Sequence, residues 1–271
     1  MSYLSLKTCI ARTAFILLCI TFISLNAPAQ STTKKQAQEY YQVKVYHYTT
    51  AAQESTLDNY FKTAYVPALH KAGVKYIGVF KAMANDTAAD KRFYIFFAAP
   101  SLEKLADLPA QLQKDAAYMD ASKEYMDAPY NNPPFTRVET ILLKSFPLAP
   151  QMGLPRLKSP KAERVYELRS YEGPTEALYR SKVKMFNQGG EIGLFKSLNF
   201  NSVFYAEVIS GSRMPNLMYM TSFENMPERE AHWKDFFADP VWKTISAMPE
   251  YQHTVSKADI IFLKATEYSD L

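Results

Sequence analysis

Three side chains with complementary chemistry alternate along one run of β-forming residues. Glu167, Arg169 and Tyr171 are two residues apart, so a strand would place all three on the same side. An arginine in that position is suited to bind a carboxylate or a phosphate through two parallel hydrogen bonds. The alternative is a structural salt bridge between the two repeated halves of the chain, with no ligand. The spacing predicts that the three side chains share a site and leaves its role open.

Tyrosines are the other candidate ligand contacts, and the chain has 19 of them. Tyr46 and Tyr48 share one side of an earlier strand-like run, and Tyr219 lies in a later run. Their rings could contact an aromatic or planar ligand, although such residues are more often part of a hydrophobic core. The candidate ligand-binding set is therefore Tyr46, Tyr48, Glu167, Arg169, Tyr171 and Tyr219.

Other kinds of catalytic site have little support in the sequence. The four histidines are far apart and lack the spacing of metal ligands. We find no G-x-S-x-G motif, phosphate-binding loop or dinucleotide fingerprint. The net charge of +4 is spread along the chain without a Lys/Arg block, which argues against a nucleic-acid partner. No catalytic residue, metal or cofactor is predicted from these patterns.

The first 29 residues have the layout of a secretory signal peptide. Lys7 and Arg12 precede an apolar run over 14–25, and Ala27-Pro28-Ala29 supplies the small residues of a cleavage site. That run is shorter than the roughly 20 residues of a membrane span, so cleavage after Ala29 is expected rather than an anchor. Both cysteines lie in this segment and would be removed with it. The sequence thus predicts an exported protein, periplasmic or secreted, without a stable membrane span.

The elements that would position the candidate residues occur in the same order twice. In the first half, strand-like runs cover 43–48, 76–82, 93–98 and 137–144. Helical spacing covers 53–71, where Pro67 should kink or break the helix, and 101–126, where Pro109 should interrupt it. The second half has strand-like runs at 165–171, 203–209, 217–223 and 258–263, and helical runs at 175–187 and 228–237. Each half therefore has the βαββαβ order of a ferredoxin-like fold.

Matching residues at similar offsets indicate an internal duplication. Tyr48 pairs with Tyr171 at an offset of 123, and 139–144 pair with 259–264 at 120. The run 192–196 also looks like 77–81, but that pairing would leave 203–209 without a partner. We expect two ferredoxin-like domains, 40–145 and 164–271, joined by a Pro-rich linker over 146–163.

A four-stranded sheet with helices on one side leaves its other side uncovered. Two such sheets in one chain could cover each other and form a dimeric α/β barrel within a single molecule. The apolar side of each strand should meet the helices. That would turn two sets of side chains into the barrel interior, Lys44, Tyr46 and Tyr48 of the first half and Glu167, Arg169 and Tyr171 of the second. The alternative is that these polar side chains reach solvent at the rim.

The second half resembles the NIPSNAP family. The likeness lies in 165–171, in 218–229, in Trp233 and in Asp239-Pro240-Val241-Trp242, and it covers about 164–264. Residues 43–144 match only as a diverged copy that lacks the Glu-Leu-Arg and both tryptophans. The resemblance implies a dimeric α/β barrel, related to stress-responsive barrels and antibiotic-biosynthesis-type monooxygenases, and no settled reaction.

The superfamily also raises the alternative of haem, because a helix histidine can ligate its iron. His232 lies beside Trp233 in a predicted helix. The competing interpretation is that Trp233 and Trp242 pack this helix onto the sheet while His232 faces water.

The sequence favours an exported protein that binds a small apolar or aromatic ligand in the barrel between its two repeats. One alternative is a monooxygenase-like or haem-handling enzyme. Another is a structural or interaction module whose barrel is filled by its own side chains. A second copy of the chain is also allowed as a partner.

Overall fold

The computed structural model of the protein describes residues 36–271, so the predicted signal peptide with its two cysteines lies outside the described residues. The strands are β1 (Tyr40–Tyr48), β2 (Ile77–Ala82), β3 (Lys91–Ala99), β4 (Arg137–Ser145), β5 (Val165–Glu172), β6 (Asn201–Ser210), β7 (Asn216–Phe223) and β8 (Lys257–Ala265). The helices are α1 (Ala51–Tyr60), α2 (Val66–Lys71), α3 (Leu102–Gln113), α4 (Ala116–Ala121), α5 (Lys123–Met126), α6 (Glu176–Asn187), α7 (Glu191–Ser197), α8 (Met226–Ala238) and α9 (Pro240–Ala247).

The eight strands close into one barrel in the order β1-β3-β2-β8-β5-β7-β6-β4, with every neighbouring pair antiparallel. Each half contributes its strands in the same order, fourth-first-third-second. The two halves meet at two seams, β2 with β8 and β4 with β6. The predicted α+β fold and closed barrel are confirmed.

Alternate residues of every strand fill the barrel interior. Tyr41, Val43 and Val45 of β1 are buried there with Tyr166 and Leu168 of β5. The contact between the halves is aromatic: the rings of Phe96 and Phe204 stack with centroids 4.6 Å apart. This interior is a hydrophobic core of the molecule.

The predicted direction of the polar side chains is wrong. Tyr46 and Tyr48 pack under the first-half helices, and Arg169 and Tyr171 lie under those of the second half. In β1 and β5 one side is apolar and the other combines tyrosines with polar or charged residues, and alternation separates these two sets without saying which of them faces inward. The set that faces inward is uncharged in the closed part of the barrel, and its charged member Glu172 lies at the open end beside Arg213, because burying an unpaired charge costs a great deal of free energy.

Helices cover the outer face of the sheet, and two prolines are accommodated better than predicted. Pro67 begins α2 after a π-helical turn over Phe61–Tyr65, and Pro109 lies inside α3. Gly190, with φ of +93°, ends the α6 region as the Gly189-Gly190 pair indicated. The short helices α7 and α9 were not predicted. Because α7 contains the run 192–196, rejecting that run as a copy of β2 is confirmed.

The strand registers define which residues of the two halves are equivalent. Tyr46 lies opposite Phe93 and Val138. Tyr171 lies opposite Leu217 and Ala258, the residues at the corresponding places of β7 and β8. The equivalent of Tyr171 is therefore Tyr46, at an offset of 125, and not Tyr48 at 123. The same offset matches Gln42 with Glu167 and Lys44 with Arg169.

Residues 146–164, between β4 and β5, form neither helix nor strand, but they are held along the barrel, for example by the hydrogen bond that the Gly153 amide donates to the Val203 carbonyl at 2.8 Å. Within residues 36–271, no helix combines the length and the apolar character that crossing a membrane requires.

Candidate functional site

The Glu167 carboxylate is the centre of a buried charge cluster between β5 and α8. It is 0% exposed and accepts hydrogen bonds from Arg169 Nε at 2.6 Å and from Trp233 Nε1 at 2.8 Å. Arg229 of α8 donates through Nε at 2.9 Å and through Nη2 at 3.0 Å. Two arginines and an indole therefore surround one carboxylate, and its oxygens have no room for a ligand.

Arg169 extends this cluster toward two tyrosines. Its guanidinium stacks 3.7 Å from the centroid of the Trp233 ring. Its Nη1 donates to the Tyr171 hydroxyl at 2.9 Å, which is hydrogen-bonded to the Tyr219 hydroxyl at 2.9 Å. The four predicted residues Glu167, Arg169, Tyr171 and Tyr219 are thus brought together, but as a chain of mutual contacts under the helices.

The contacts within the cluster favour the charged forms of Glu167 and Arg169. Burial favours a neutral Glu167, but the hydrogen bonds of Arg229, the charge of Arg169 and the Trp233 bond outweigh burial and hold the pKa of the carboxyl below its ordinary value. Burial likewise opposes the charge of Arg169, yet its contacts with Tyr219, Tyr171 and Glu167 keep the pKa of the guanidinium raised. The geometry favours a structural role for this cluster. The predicted salt bridge between the two halves is wrong, because Glu167 pairs with Arg169 and Arg229 of its own half.

His232 and the tryptophans are packing residues of the second half. Trp233 is 4% exposed, and Trp242 packs against Phe236. The imidazole of His232 is half-buried, edge-on to Phe200 at 5.2 Å, and its Nδ1 lies 3.0 Å from the Glu228 carbonyl. The packing interpretation expected His232 to face water, whereas its imidazole is only partly exposed. In the described part of the chain, no group of three or more His, Cys, Asp or Glu side chains is placed to hold a metal ion.

One end of the barrel opens into a cavity of about 400 Å³ that both halves line. Its floor is formed by apolar side chains, among them Val45, Tyr94 and Ile261. Its charged rim is paired within itself: Arg213 bonds Asp259 and lies 3.6 Å from Glu172, and Glu139 lies 2.9 Å from His47. None of the six predicted ligand-binding residues lines this cavity.

A second cavity, of about 330 Å³, lies between the sheet and the helices of the first half. We call it the tyrosine cavity. Its walls include five tyrosine rings, and Gln42 and Lys44 of β1 line it beside Pro109 of α3. The tyrosines are Tyr46, Tyr60, Tyr65, Tyr118 and Tyr125.

The tyrosine rings are fixed by contacts with one another. Tyr60 stacks on Tyr125 with ring centroids 3.8 Å apart, and its hydroxyl is 2.9 Å from that of Tyr118. Burial raises the pKa of Tyr46 and Tyr60 above the ordinary value and that of Tyr125 to about 12. All three are therefore neutral phenols at physiological pH, and they present rigid aromatic surface to the cavity.

Lys44 is the one cationic side chain among the residues that line the tyrosine cavity. Its ammonium lies 5.7 Å from the centroid of the Tyr65 ring and 5.9 Å from that of Tyr46. Among residues 36–271, no carboxylate lies within 4.0 Å of it and no hydrogen bond engages it. Burial lowers the pKa of this ammonium.

The six predicted residues thus lie in three places: four form the charge cluster of the second half, and Tyr46 and Tyr48 lie apart from each other in the first half. Only Tyr46 reaches the tyrosine cavity, whereas the Tyr48 hydroxyl accepts a hydrogen bond from Asn85 at 3.1 Å outside it. Sequence reasoning missed the roles of Lys44, Gln42 and the four helix tyrosines. The available signal was the parallel between Gln42-x-Lys44-x-Tyr46 and Glu167-x-Arg169-x-Tyr171, which the wrong offset concealed.

Comparison with known proteins identifies a domain in the second half. The NIPSNAP family model matches residues 166–270, so this part of the chain is a NIPSNAP domain, as its resemblance predicted. No curated protein matches the chain.

Solved structures share the fold. A candidate monooxygenase from Lactobacillus acidophilus NCFM is 12% identical, with 84% of this chain and 94% of that one covered and a TM-score of 0.54. A candidate monooxygenase from Fusobacterium nucleatum is 6% identical, with 87% and 97% covered and a TM-score of 0.56. A NIPSNAP family protein from Agrobacterium tumefaciens is 18% identical, with 42% and 97% covered and a TM-score of 0.36. The two longer matches show a common architecture and carry no residue roles to this chain.

The substitution Glu167→Gln tests the structural role of the charge cluster. Removing the carboxylate charge leaves Arg169 buried without compensation and leaves Arg229 only the exposed Glu230, and we expect a loss of about 3–5 kcal/mol in the free energy of unfolding at pH 7. The folded-state pKa of Glu167 is lowered, so this contribution is complete above the ordinary glutamate pKa of about 4.3 and is lost as the pH falls through the folded value. Urea denaturation between pH 3 and pH 7, in steps of roughly one unit across that range, measures both effects.

Glu230→Gln is the matched control, because Glu230 also pairs with Arg229, at 3.0 Å, but its side chain is 65% exposed. It should change stability little. Equal effects of the two substitutions would show that the buried carboxylate does not stabilise the second half.

Proposed function

We propose that this chain, with its NIPSNAP domain at 166–270, binds a small aromatic molecule in the tyrosine cavity of its first half. The observation that carries the proposal is the ring of five tyrosines around about 330 Å³ of space. That volume is at the lower end of the range of small-molecule sites, about 300–1,000 Å³, which suits a ligand of one or two rings. Tyrosine rings provide large apolar contacts at little cost in side-chain entropy.

A comparison of the two halves explains why a cavity lies between sheet and helices in the first half and not at the equivalent place in the second. The N-cap residues Ser101 of α3 and Asn225 of α8 are equivalent, at an offset of 124. The same offset matches Pro109 with Trp233, whose indole fills the sheet–helix interface of the second half. A proline cannot reach as far as an indole. Pro109 therefore stands at the exposed edge of a cavity instead of plugging it.

The tyrosine cavity is the better candidate than the larger cavity at the barrel end. There the charged rim groups already pair with one another, as Arg213 does with Asp259. A ligand in that cavity would have to displace those ion pairs or leave the polar rim unused. The tyrosine cavity offers stacked aromatic surface and polar groups that are free to bind. The earlier expectation of a ligand in the barrel interior is replaced by this location.

The oxygenase and haem alternatives stay predictions. The structures described as candidate monooxygenases share the fold at 6–12% identity, which carries no catalytic residue to this chain.

Pro109→Trp tests the proposal by restoring the indole of the second half. The substitution also removes a proline from a helix interior, so folding should not suffer. We expect the binding of 1-naphthamide, a neutral two-ring probe, to weaken at least about tenfold, because the new ring occupies the probe's place. Isothermal titration calorimetry of both proteins measures the change.

Gln111→Trp is the control, since it adds the same ring on the same helix at an exposed position. It should leave binding unchanged. If Pro109→Trp binds 1-naphthamide as well as wild type, the tyrosine cavity is not the ligand site.

We also propose that the protein acts outside the cytoplasm, on the signal-peptide pattern of residues 1–29. Expression of the full chain in a bacterium, fractionation and N-terminal sequencing check this. The mature protein should be recovered outside the cytoplasm with Gln30 as its first residue. An uncleaved chain in the cytoplasmic fraction would contradict the proposal.

A further inference from the structure

The floor of the tyrosine cavity carries polar groups that have no hydrogen-bond or ion-pair partner among residues 36–271. Gln42 and Lys44 alternate on β1 and both face the helices, and Lys44 lies opposite Thr140 of β4. Gln42 is 9% exposed, and within the described part of the chain its side-chain amide makes no hydrogen bond. A half-buried ammonium and a buried amide therefore point into the same space without being satisfied by the protein itself.

The equivalent place in the second half shows what is missing. Gln42 corresponds to Glu167, and Lys44 corresponds to Arg169. In the second half, Arg169 Nε donates a hydrogen bond to the Glu167 carboxylate at 2.6 Å. The helix residue equivalent to Arg229 is Leu105. The second half supplies a carboxylate and two arginines. The first half retains one cation and has lost the carboxylate.

A partly buried cation is stabilised by a nearby negative charge, and the described residues provide none within 4.0 Å of Lys44. The faces of Tyr46 and Tyr65, at 5.9 and 5.7 Å, offer only a weak cation–π attraction at such distances. A ligand that brings its own carboxylate would complete the pair that Glu167 and Arg169 form in the second half. The Gln42 amide is placed to donate to the same group.

We infer that the tyrosine cavity recognises small aromatic carboxylates, with the ligand carboxylate on Lys44 and Gln42 and the ligand rings among the five tyrosines. This inference rests on the proposed function and adds the charged end of the ligand. One lysine balances a single negative charge, so a monocarboxylate fits better than a doubly charged phosphate. The charge of Lys44 also opposes cationic ligands, although aromatic rings alone would accept them.

The test compares two probes that differ only in charge, 1-naphthoate and 1-naphthamide, by isothermal titration calorimetry of the mature protein. We expect wild type to bind the carboxylate at least about tenfold more tightly, because one charged hydrogen bond distinguishes the probes. Lys44→Gln should abolish that preference and leave 1-naphthamide binding unchanged. Lys104→Gln, which removes an exposed charge on α3, should preserve the preference.

Gln42→Glu provides an independent variant. It recreates the carboxylate of the second half, so Lys44 should pair with it and 1-naphthoate binding should fall to the level of the amide or below. Thermal unfolding of this variant should be as cooperative as that of wild type, which shows that loss of binding is not loss of fold.

The outcomes separate the two proposals. If wild type binds both probes equally, or if Lys44→Gln keeps the preference for 1-naphthoate, carboxylate recognition by Lys44 is wrong while the aromatic site stands. If wild type binds neither probe, both proposals fail. Unchanged 1-naphthoate binding by Gln42→Glu also overturns the role of Lys44.

Discussion

The mutual burial of two sheet faces is the constraint on which the rest of this structure depends. Each half offers four strands with one face that its own helices do not cover, and closure at β2–β8 and β4–β6 removes both faces from water together. Phe96 and Phe204 stack across this interior at 4.6 Å. A space enclosed in this way has no counter-charges to offer. Lys44, Glu167 and Arg169 therefore lie on the outer face of the sheet, under the helices. Glu172, the remaining charged side chain of β5, lies at the barrel rim.

Both halves therefore have polar side chains on the helix-facing side of their first strand, β1 or β5. We call each set a polar strip, and the two strips differ in sequence. In the second half Glu167 is surrounded by Arg169, Arg229 and Trp233, and the strip is closed. In the first half Gln42, Leu105 and Pro109 occupy the places of the carboxylate, the second arginine and the indole. Each difference removes part of the same cluster, and together they leave a cavity whose ammonium, on Lys44, has no carboxylate within 4.0 Å among residues 36–271. In the function proposed above, the second half stabilises the barrel while the first half binds the ligand.

Much of the fold could be predicted from the sequence, because it depends on local patterns. The alternation in Val43–Tyr48 and in Val165–Tyr171 marks strands, and two βαββαβ orders with bare faces imply closure. The direction of Arg169 could not be derived, because it depends on which of two alternating sets meets the longer-range partners Arg229 and Trp233. The tyrosine cavity was missed for the same reason. The cavity exists because position 109 has a proline in place of an indole and position 42 has a glutamine in place of a carboxylate. These differences are visible only when the two halves are aligned in the correct register.

A crystal structure of the protein with 4-bromo-1-naphthoate, with the bromine located by anomalous scattering, tests most directly whether ligand chemistry belongs between sheet and helices. The account predicts bromine density among Tyr60, Tyr65 and Tyr125, with the carboxylate on Lys44. Bromine density in the barrel-end cavity beside Tyr94 and Ile261, with the tyrosine cavity unoccupied, would contradict it.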